Sequence, residues 1–185
     1  MPRASAKSNR PRTGTPSSHA STGAPAGAVG SAAPFRIAVD GTWFHEDGVI
    51  ARPEMVKLFA TALRRDPVTY GYALVTPYEH HVVVVEDAPF VTVTVRSEGA
   101  GPGRRLTFVT NIDAEIIAGP EHPIIVRTGQ ADDPRPYLVL GDGLEARIGR
   151  NVFYELAALA EPGPNGTLGV WSDSVFFPLE VAARS

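Results

Sequence analysis

The sequence predicts an α+β protein with two related β-rich halves, each carrying one helix, and with mostly antiparallel sheets. Short apolar segments alternate with polar residues and end at Gly, Asp or Pro over most of the chain, which is typical of strands in hairpins. Only two segments repeat apolar residues at helical spacing. The same order of elements, namely a hairpin, an Ile-x-Arg tripeptide, a helix, a turn and a strand, occurs twice.

Residues 1–34 differ in composition from the rest of the chain. They are almost entirely Ser, Ala, Pro, Gly, Thr and Arg, and beyond Met1 their only large aliphatic side chain is Val29. Such a segment buries too little apolar surface to offset the entropy of ordering, so we expect a disordered tail. We therefore predict three parts, which are the tail 1–34, an N-terminal half 35–88 and a C-terminal half 89–185.

The predicted N-terminal half begins with two short strands, 35–39 and 42–45, joined by a turn at Asp40-Gly41. The first helix is predicted to begin at Pro53, because proline suits the first helical position. Arg64 and Arg65 suit its last turn, and Pro67 is expected to end it. Its predicted apolar face consists of Met55, Leu58, Phe59, Ala62 and Leu63.

The rest of the chain is predicted to be mainly strands. Alternating or continuous apolar runs indicate strands at 70–75, 81–86, 90–96, 104–110, 122–127, 136–140, 144–148, 168–171 and 175–179. A second helix is predicted from an N-cap at Asn151 to about Ala160, where Pro162 and Gly163 follow.

The internal repeat draws attention to two arginines. Arg52 ends the Ile50–Arg52 tripeptide before the first helix, and Arg150 ends the Ile148–Arg150 tripeptide before the second. A duplication would place both at related helix N-termini facing a common interface, where guanidinium and helix N–H groups together suit a phosphate or carboxylate. A structural ion pair with Glu79, Glu86 or Glu145 is the alternative for Arg52. Arg147 is expected to face away from Arg150, because the two are three residues apart.

Other polar and aromatic side chains are weaker candidates. The adjacent carboxylates Glu86 and Asp87 should point in opposite directions on an extended chain, so a turn and an ion pair are favoured over a catalytic pair. Thr76 and Asn111 lie at strand ends. Their side chains form hydrogen bonds either with a ligand or with backbone groups of the loop. Trp171 is either a stacking surface or a core residue.

No metal, cofactor or catalytic signature is present in the sequence. It has no cysteine, and its histidines lack HxH or HExxH spacing, so we expect no metal site and no cofactor. It also lacks a GxSxG elbow, a Walker A loop and a GxGxxG before a helix. The Gly-rich stretch 99–103 joins two strands and is predicted to be a hairpin. These features favour binding over catalysis.

Charge and hydropathy indicate which partners and which cellular location to expect. The formal charge of −3 becomes −7 over residues 35–185, because residues 1–34 carry four basic residues and no acidic ones. Such a body disfavours nucleic acid and anionic membrane. No apolar run approaches the ~20 residues of a membrane-spanning helix, and the N-terminus lacks the apolar region of a secretory signal. We therefore expect a cytoplasmic protein.

Several motifs occur in an order that resembles a known family. They are residues 40–45, 50–52, 56–60, 74–79, 85–90, 108–111, 136–137, 143–146 and 169–172, for example Asp40-Gly41-Thr42-Trp43-Phe44-His45 and Gly169-Val170-Trp171-Ser172. Together they closely resemble the bacterial domain-of-unknown-function 1285 family over nearly everything after residue 34. Ser174 stands where the resemblance implies a glycine. The resemblance implies a duplicated α+β core, a C-terminal part similar to a pleckstrin-homology-like barrel, and a nucleotide-like ligand between the halves with a role in signalling.

Three functional hypotheses follow. The leading one is a protein that binds a small anionic, nucleotide-like ligand between its halves, using Arg52, Arg150, Thr76, Glu79, Glu86, Asn111 and Trp171. The second is an adaptor that contacts another protein through an exposed apolar patch. The third is an enzyme that uses two of the carboxylates of Glu79, Glu86 and Asp87, which requires them to converge in a pocket.

Overall fold

The computed structural model describes residues 33–129, 133–164 and 166–180, so all but the last two residues of the predicted tail lie outside the described residues. Strands dominate this part of the chain, and two α-helices accompany them. Neither helix is long and apolar enough to cross a membrane.

The N-terminal half, residues 33–88, contains one sheet and one helix. Its elements are β1 (Phe35–Ile37), β2 (Trp43–His45), β3 (Gly48–Val49), α1 (Pro53–Ala62), β4 (Leu63–Arg65), β5 (Tyr72–Val75) and β6 (His80–Val85). The strand order is β3-β2-β1-β6-β5-β4, and only the central pair β1–β6 is parallel. The two meanders β1–β3 and β4–β6 are thereby joined into a single six-stranded sheet.

Helix α1 is shorter than the sequence predicts and turns a different face to the core. It ends at Ala62, and Leu63 takes an extended conformation, pairing with Leu74 in the sheet. The predicted last turn at residues 64–65 is therefore wrong, because Leu63 is buried more completely as the first residue of a strand. The expected apolar face is rotated as well. Val56, Phe59, Ala60 and Ala62 pack on the core, whereas Met55 and Leu58 are exposed.

The C-terminal half, residues 89–180, has a larger sheet, a smaller sheet and one helix. Its elements are β7 (Phe90–Glu98), a 3-10 turn (Gly101–Gly103), β8 (Arg105–Thr110), β9 (Glu115–Ile117), β10 (Ile124–Thr128), β11 (Pro134–Gly141), β12 (Leu144–Ile148), α2 (Arg150–Ala158), β13 (Glu161–Pro162), β14 (Leu168–Ser172) and β15 (Val175–Pro178). The larger sheet has the order β10-β11-β12-β7-β8-β9, and β13–β15 form a separate meander. Two β-bulges, in β7 and β11, accompany the curling of the larger sheet into a half-barrel.

The two halves share an order of elements. A three-stranded meander, a helix and a second meander run from β1 to β6 through α1, and again from β10 to β15 through α2. The strand pairing of the two units differs. In the first unit β1 pairs in parallel with β6, the last strand of that unit, whereas in the second unit β12 pairs in parallel with β7, which lies outside the unit. The predicted duplicated α+β architecture with mostly antiparallel sheets is therefore confirmed.

Helix α2 packs on the larger sheet through its buried side chains Val152 and Leu156. Its N-cap is Gly149, so the predicted N-cap at Asn151 is wrong by two positions, and Arg150 is the first helical residue. Most predicted strands lie within two residues of those observed. The short strands β4, β9 and β13 were not predicted, since two or three residues carry too little periodicity to recognise.

Buried polar contacts attach the β13–β15 meander to the larger sheet. The Ser172 hydroxyl is fully buried, donates to the carbonyl of Ala118 at 2.7 Å and accepts from the amide of Leu106 at 2.9 Å. Arg104 is also buried, and its guanidinium donates to the carbonyl of Leu159 at 3.0 Å, at the end of α2. Because these groups have no access to water, their bonds to the protein must be retained.

Ser172→Ala is expected to lower the free energy of unfolding by about 1–3 kcal/mol, because it leaves one buried amide and one buried carbonyl without a partner. Urea unfolding followed by tryptophan fluorescence measures the change. Ser97→Ala, at an exposed position of β7, is the matched control and should cost less than about 0.5 kcal/mol. Equal effects of the two substitutions would contradict this account of the buried hydroxyl.

Ser174→Gly is expected to stabilise the protein by about 0.5–1 kcal/mol. Asp173 and Ser174 form the β14–β15 turn with φ of 49° and 65°, a left-handed conformation that costs a residue with a Cβ about 1 kcal/mol. Ser97→Gly, in an extended strand, should instead destabilise by a similar amount. The same unfolding measurement tests both, and a loss of stability in Ser174→Gly would show that strain at this turn is not significant.

Candidate functional site

Two adjacent carboxylates fasten the connection between the halves. Glu86 accepts a 2.6 Å hydrogen bond from Arg36 of β1, in the N-terminal half. Asp87 accepts a 2.6 Å hydrogen bond from the hydroxyl of Tyr137 on β11 and lies 3.4 Å from the guanidinium of Arg147 on β12. The two side chains thus point toward opposite halves, although residues 86 and 87 form a bend after β6 and are not extended as the sequence predicts. Each carboxylate contacts a different half.

A cleft of about 460 Å³ lies beside this connection. The N-terminal half contributes Ala38, Val39, Asp40 and Glu86 to its walls. The C-terminal half contributes Val91, Arg147, Gly149 and Arg150. The cleft is therefore formed where the β1–β2 turn of one half meets the start of α2 in the other.

Two further cavities adjoin the cleft around Arg150. One, of about 470 Å³, includes Arg135, Arg147, Arg150, Phe153 and Tyr154 in its lining. The other, of about 310 Å³, surrounds the N-terminus of α2. Arg150 lines all three cavities, and Arg147 lines two of them. The two arginines therefore present positive charge to one continuous region of concave surface.

Arg150 is held by an aromatic neighbour. Its Nε lies 3.3 Å from the hydroxyl oxygen of Tyr154, one helical turn further along α2, and its guanidinium carbon lies 5.9 Å from the centre of the tyrosine ring. Within the described ranges, no carboxylate comes within ion-pair distance of this guanidinium. Among the described residues, Arg150 thus brings to the cleft a positive charge that has no ion pair.

Two of the arginines that line the cavities, Arg135 and Arg147, lie farther from their carboxylate partners than Arg127 does outside the cavities. Arg135 lies 3.3 Å from Asp133, and Arg147 lies 3.4 Å from Asp87. The bidentate pair of Arg127 with Glu145, by contrast, has distances of 2.8 and 2.7 Å. Charge-assisted hydrogen bonds strengthen as they shorten. Arg147 is therefore loosely held compared with Arg127.

These contacts shift the pKa values of two groups near the cleft. Burial, followed by the hydrogen bond to Asp87, raises the pKa of Tyr137 to about 12, so its hydroxyl remains a donor at neutral pH. On the opposite wall, hydrogen bonds from the amide and side chain of Thr42 lower the pKa of Asp40 below its usual value. The negative charge of Asp40 and the positive charge of Arg150 thus face the same cleft.

Arg52 does not line this cleft, so the expected convergence of two equivalent arginines is wrong. Arg52 occupies the N-cap position of α1, where it is extended with ψ of 113°, and its carbonyl accepts from the amide of Met55. Pro53 follows it, and a residue before proline is restricted to extended conformations. No proline follows Gly149, so Arg150 enters its helix one position earlier in the repeat. Arg147 is the second arginine of the cleft.

Thr76 and Glu79 stabilise a turn away from the cleft. The Thr76 hydroxyl accepts from the amides of Tyr78 and Glu79 at 3.3 and 3.0 Å, which closes the β5–β6 hairpin. The Glu79 carboxylate lies 3.2 Å from the His81 ring. Trp171 packs edge-on against Phe176 at 5.3 Å in the β13–β15 meander. None of these three predicted ligand contacts lines the cleft.

Asn111 connects the halves directly beneath the cleft. Its side chain donates to the carbonyl of Gly41 at 3.2 Å and accepts from the amide of Val91 at 3.1 Å. Gly41 has φ of 83°, and a Cβ there would lie 2.6 Å from the Asn111 amide nitrogen. The close approach of turn and side chain explains the glycine. Asn111 therefore supports the cleft from behind, and of the seven predicted residues Arg150 and Glu86 line it.

The expectation that Arg147 faces away from Arg150 is wrong, because the alternation of the strand does not continue past the end of β12. The chain turns at Gly149, which has ψ of 151°, and this turn brings residues 147 and 150 to one cavity. A glycine between a strand and a helix was the signal for that change of direction. The carboxylates of the enzyme hypothesis do not converge, since each of Glu79, Glu86 and Asp87 has a different partner.

Comparison with known proteins identifies relatives that cover most of the chain. The chain is 42% identical to a DUF1285 family protein from Silicibacter pomeroyi DSS-3 whose crystal structure superposes with a TM-score of 0.75, covering 81% of each chain. A second crystal structure, of a DUF1285 family protein from Shewanella baltica OS155, is 28% identical with a TM-score of 0.51, covering 66% of this chain and 89% of that one. No curated protein matches the chain.

The family match spans both halves. Residues 28–88 match the domain of unknown function (DUF1285), N-terminal domain, and residues 89–179 match the protein of unknown function (DUF1285), C-terminal domain. These matches and the structural relatives agree with the repeated elements described above. The chain therefore belongs to the DUF1285 family.

Proposed function

We propose that the protein is a cytoplasmic sensor that binds a small anionic, nucleotide-like ligand in the cleft between its halves. Arg150 and Arg147 hold the charged group of the ligand. The observation that carries the proposal is that Arg150, without a carboxylate partner among the described residues, faces three adjoining cavities.

The charge distribution favours an anion at this place. Residues 35–185 carry a net negative charge, with a formal value of −7. Around the cavities, Arg135 and Arg147 have carboxylate neighbours but Arg150 has none within the part of the chain that the structure describes. A concave surface concentrates the field of such a charge, and therefore attracts a counter-ion. An anion satisfies Arg150 without requiring a further charged partner.

The dimensions suit a small molecule. Ligand cavities in proteins usually measure about 300–1,000 Å³, and the cleft has about 460 Å³. The adjoining cavity adds the ring of Tyr154, which is 58% exposed beside Arg150. A flat aromatic group attached to the anion can stack on this ring. The neighbouring anion-binding and aromatic groups favour a nucleotide-like ligand over a simple inorganic ion.

The adaptor hypothesis rests on a different surface. The outward side of the N-terminal sheet exposes Val82 and Val84 at 54% and 46%, next to each other on β6. These valines lack the convergent polar groups that the cleft has. We therefore regard ligand binding as the better supported function, and protein binding through β6 as the alternative.

Arg150→Gln is expected to weaken ligand binding by about 10- to 100-fold, because a charge-assisted hydrogen bond contributes about 1.5–3 kcal/mol. Isothermal titration with pyrophosphate, adenosine monophosphate and adenosine diphosphate measures the affinity at fixed ionic strength. Thermal unfolding provides a second readout, since a ligand at 100 times its Kd adds about 2.7 kcal/mol of stability.

Arg52→Gln is the matched control, because Arg52 precedes α1 as Arg150 begins α2 but does not line the cleft. It should bind all three compounds as the unmodified chain does. The proposal is wrong if none of the compounds binds the unmodified protein, or if the two substitutions weaken binding equally.

A further inference from the structure

We infer that Asp87 competes with the bound anion for Arg147, so that the protein carries an internal counter-ion that sets its affinity. This inference rests on the proposed function, because it concerns the same cleft. Asp87 thus has a regulatory contact with Arg147 in addition to its structural contact with Tyr137.

The two oxygens of Asp87 have different surroundings. Oδ1 accepts the 2.6 Å hydrogen bond from Tyr137. Oδ2 is buried and has no hydrogen-bond partner within the described residues, although Nη1 of Arg147 lies 3.4 Å from it. A buried carboxylate oxygen without a hydrogen bond is costly, and here the nearby guanidinium offsets that cost only by its charge. Asp87 thus attracts Arg147 without fixing it in place.

Arg147 is accessible to a molecule in the cleft. Its side chain is 33% exposed, and it lines both the cleft and the adjoining cavity. The neighbouring Arg36–Glu86 pair is shorter, at 2.6 Å, and Arg36 does not line the cleft. Arg147 is therefore the paired arginine that an anion in the cleft can recruit.

The position of Asp87 makes its competition unavoidable. Ala88, Pro89 and Phe90, which follow it, are buried, so the chain cannot carry the carboxylate away from the C-terminal half. Tyr137 holds Oδ1 from the other side. When an anion binds Arg147, the attraction between Asp87 and Arg147 is weakened. The free energy of this lost attraction is subtracted from the binding free energy of the anion, so the anion binds less tightly. The carboxylate keeps the site empty until the ligand reaches a sufficient concentration.

Asp87→Asn tests the inference, because asparagine has the same shape and can still accept the bond from Tyr137. Isothermal titration with pyrophosphate at fixed ionic strength should show a Kd about 5- to 10-fold lower than for the unmodified protein. Arg147→Gln should bind pyrophosphate more weakly than the unmodified protein. Adding Asp87→Asn to Arg147→Gln should raise the affinity by about 2-fold or less, because the guanidinium for which Asp87 competes is absent. Urea unfolding shows that each variant is folded.

Glu86→Gln controls for the general effect of removing one negative charge near the cleft, and about a 2-fold gain is expected. Tyr137→Phe provides a change in the opposite direction. It frees Oδ1 of Asp87 to bind Arg147 with both oxygens, so pyrophosphate should bind about 2- to 3-fold more weakly than to the unmodified protein.

The outcomes separate this inference from the proposed function. If pyrophosphate binds the unmodified protein, Arg150→Gln weakens it and Asp87→Asn leaves it unchanged, only the competition is wrong. The same holds if Asp87→Asn and Glu86→Gln give equal gains, or if the gain persists without Arg147. If none of the anions binds the unmodified protein, the proposed function is wrong and this inference fails with it.

Discussion

The opposite directions of two neighbouring carboxylates govern the arrangement of the site. In the bend that follows β6, Glu86 reaches Arg36 in one half while Asp87 reaches Tyr137 in the other. The next three residues are buried, which prevents this connection from shifting. This short segment therefore helps to position both walls of the cleft, together with the Asn111 side chain that joins Gly41 to Val91.

The balance of charge around the cleft follows from this connection. Asp87 lies near Arg147, and Glu86 is occupied by Arg36, so neither carboxylate is available to Arg150. Arg150 thus has no ion pair within the described residues, although Asp40 faces the same cleft. Under the proposed function, one arginine without an ion pair among the described residues and one loosely held arginine would attract an anion, and this attraction would weaken as the salt concentration rises.

Much of the fold could be predicted from alternation and turn residues, because most strands have one buried face. Helix α1 was misjudged since local propensity favours continuing the helix through residues 63–65, whereas pairing of Leu63 with Leu74 decides its end. The site was predicted less well. Asn111 and Thr76 satisfy backbone groups, and a sequence does not show which backbone groups will need a partner.

The repeat explains why only one of the two helices contributes an arginine to the cleft. In the first unit Pro53 takes the first helical position, and its ring forces Arg52 into an extended conformation outside the helix. In the second unit Gly149 takes that outside position, and Arg150 becomes helical. The corresponding arginines therefore differ by one position relative to their helices, which corresponds to about 100° of rotation. Of the two related arginines only Arg150 lines the cleft, and the proline before α1 accounts for this difference.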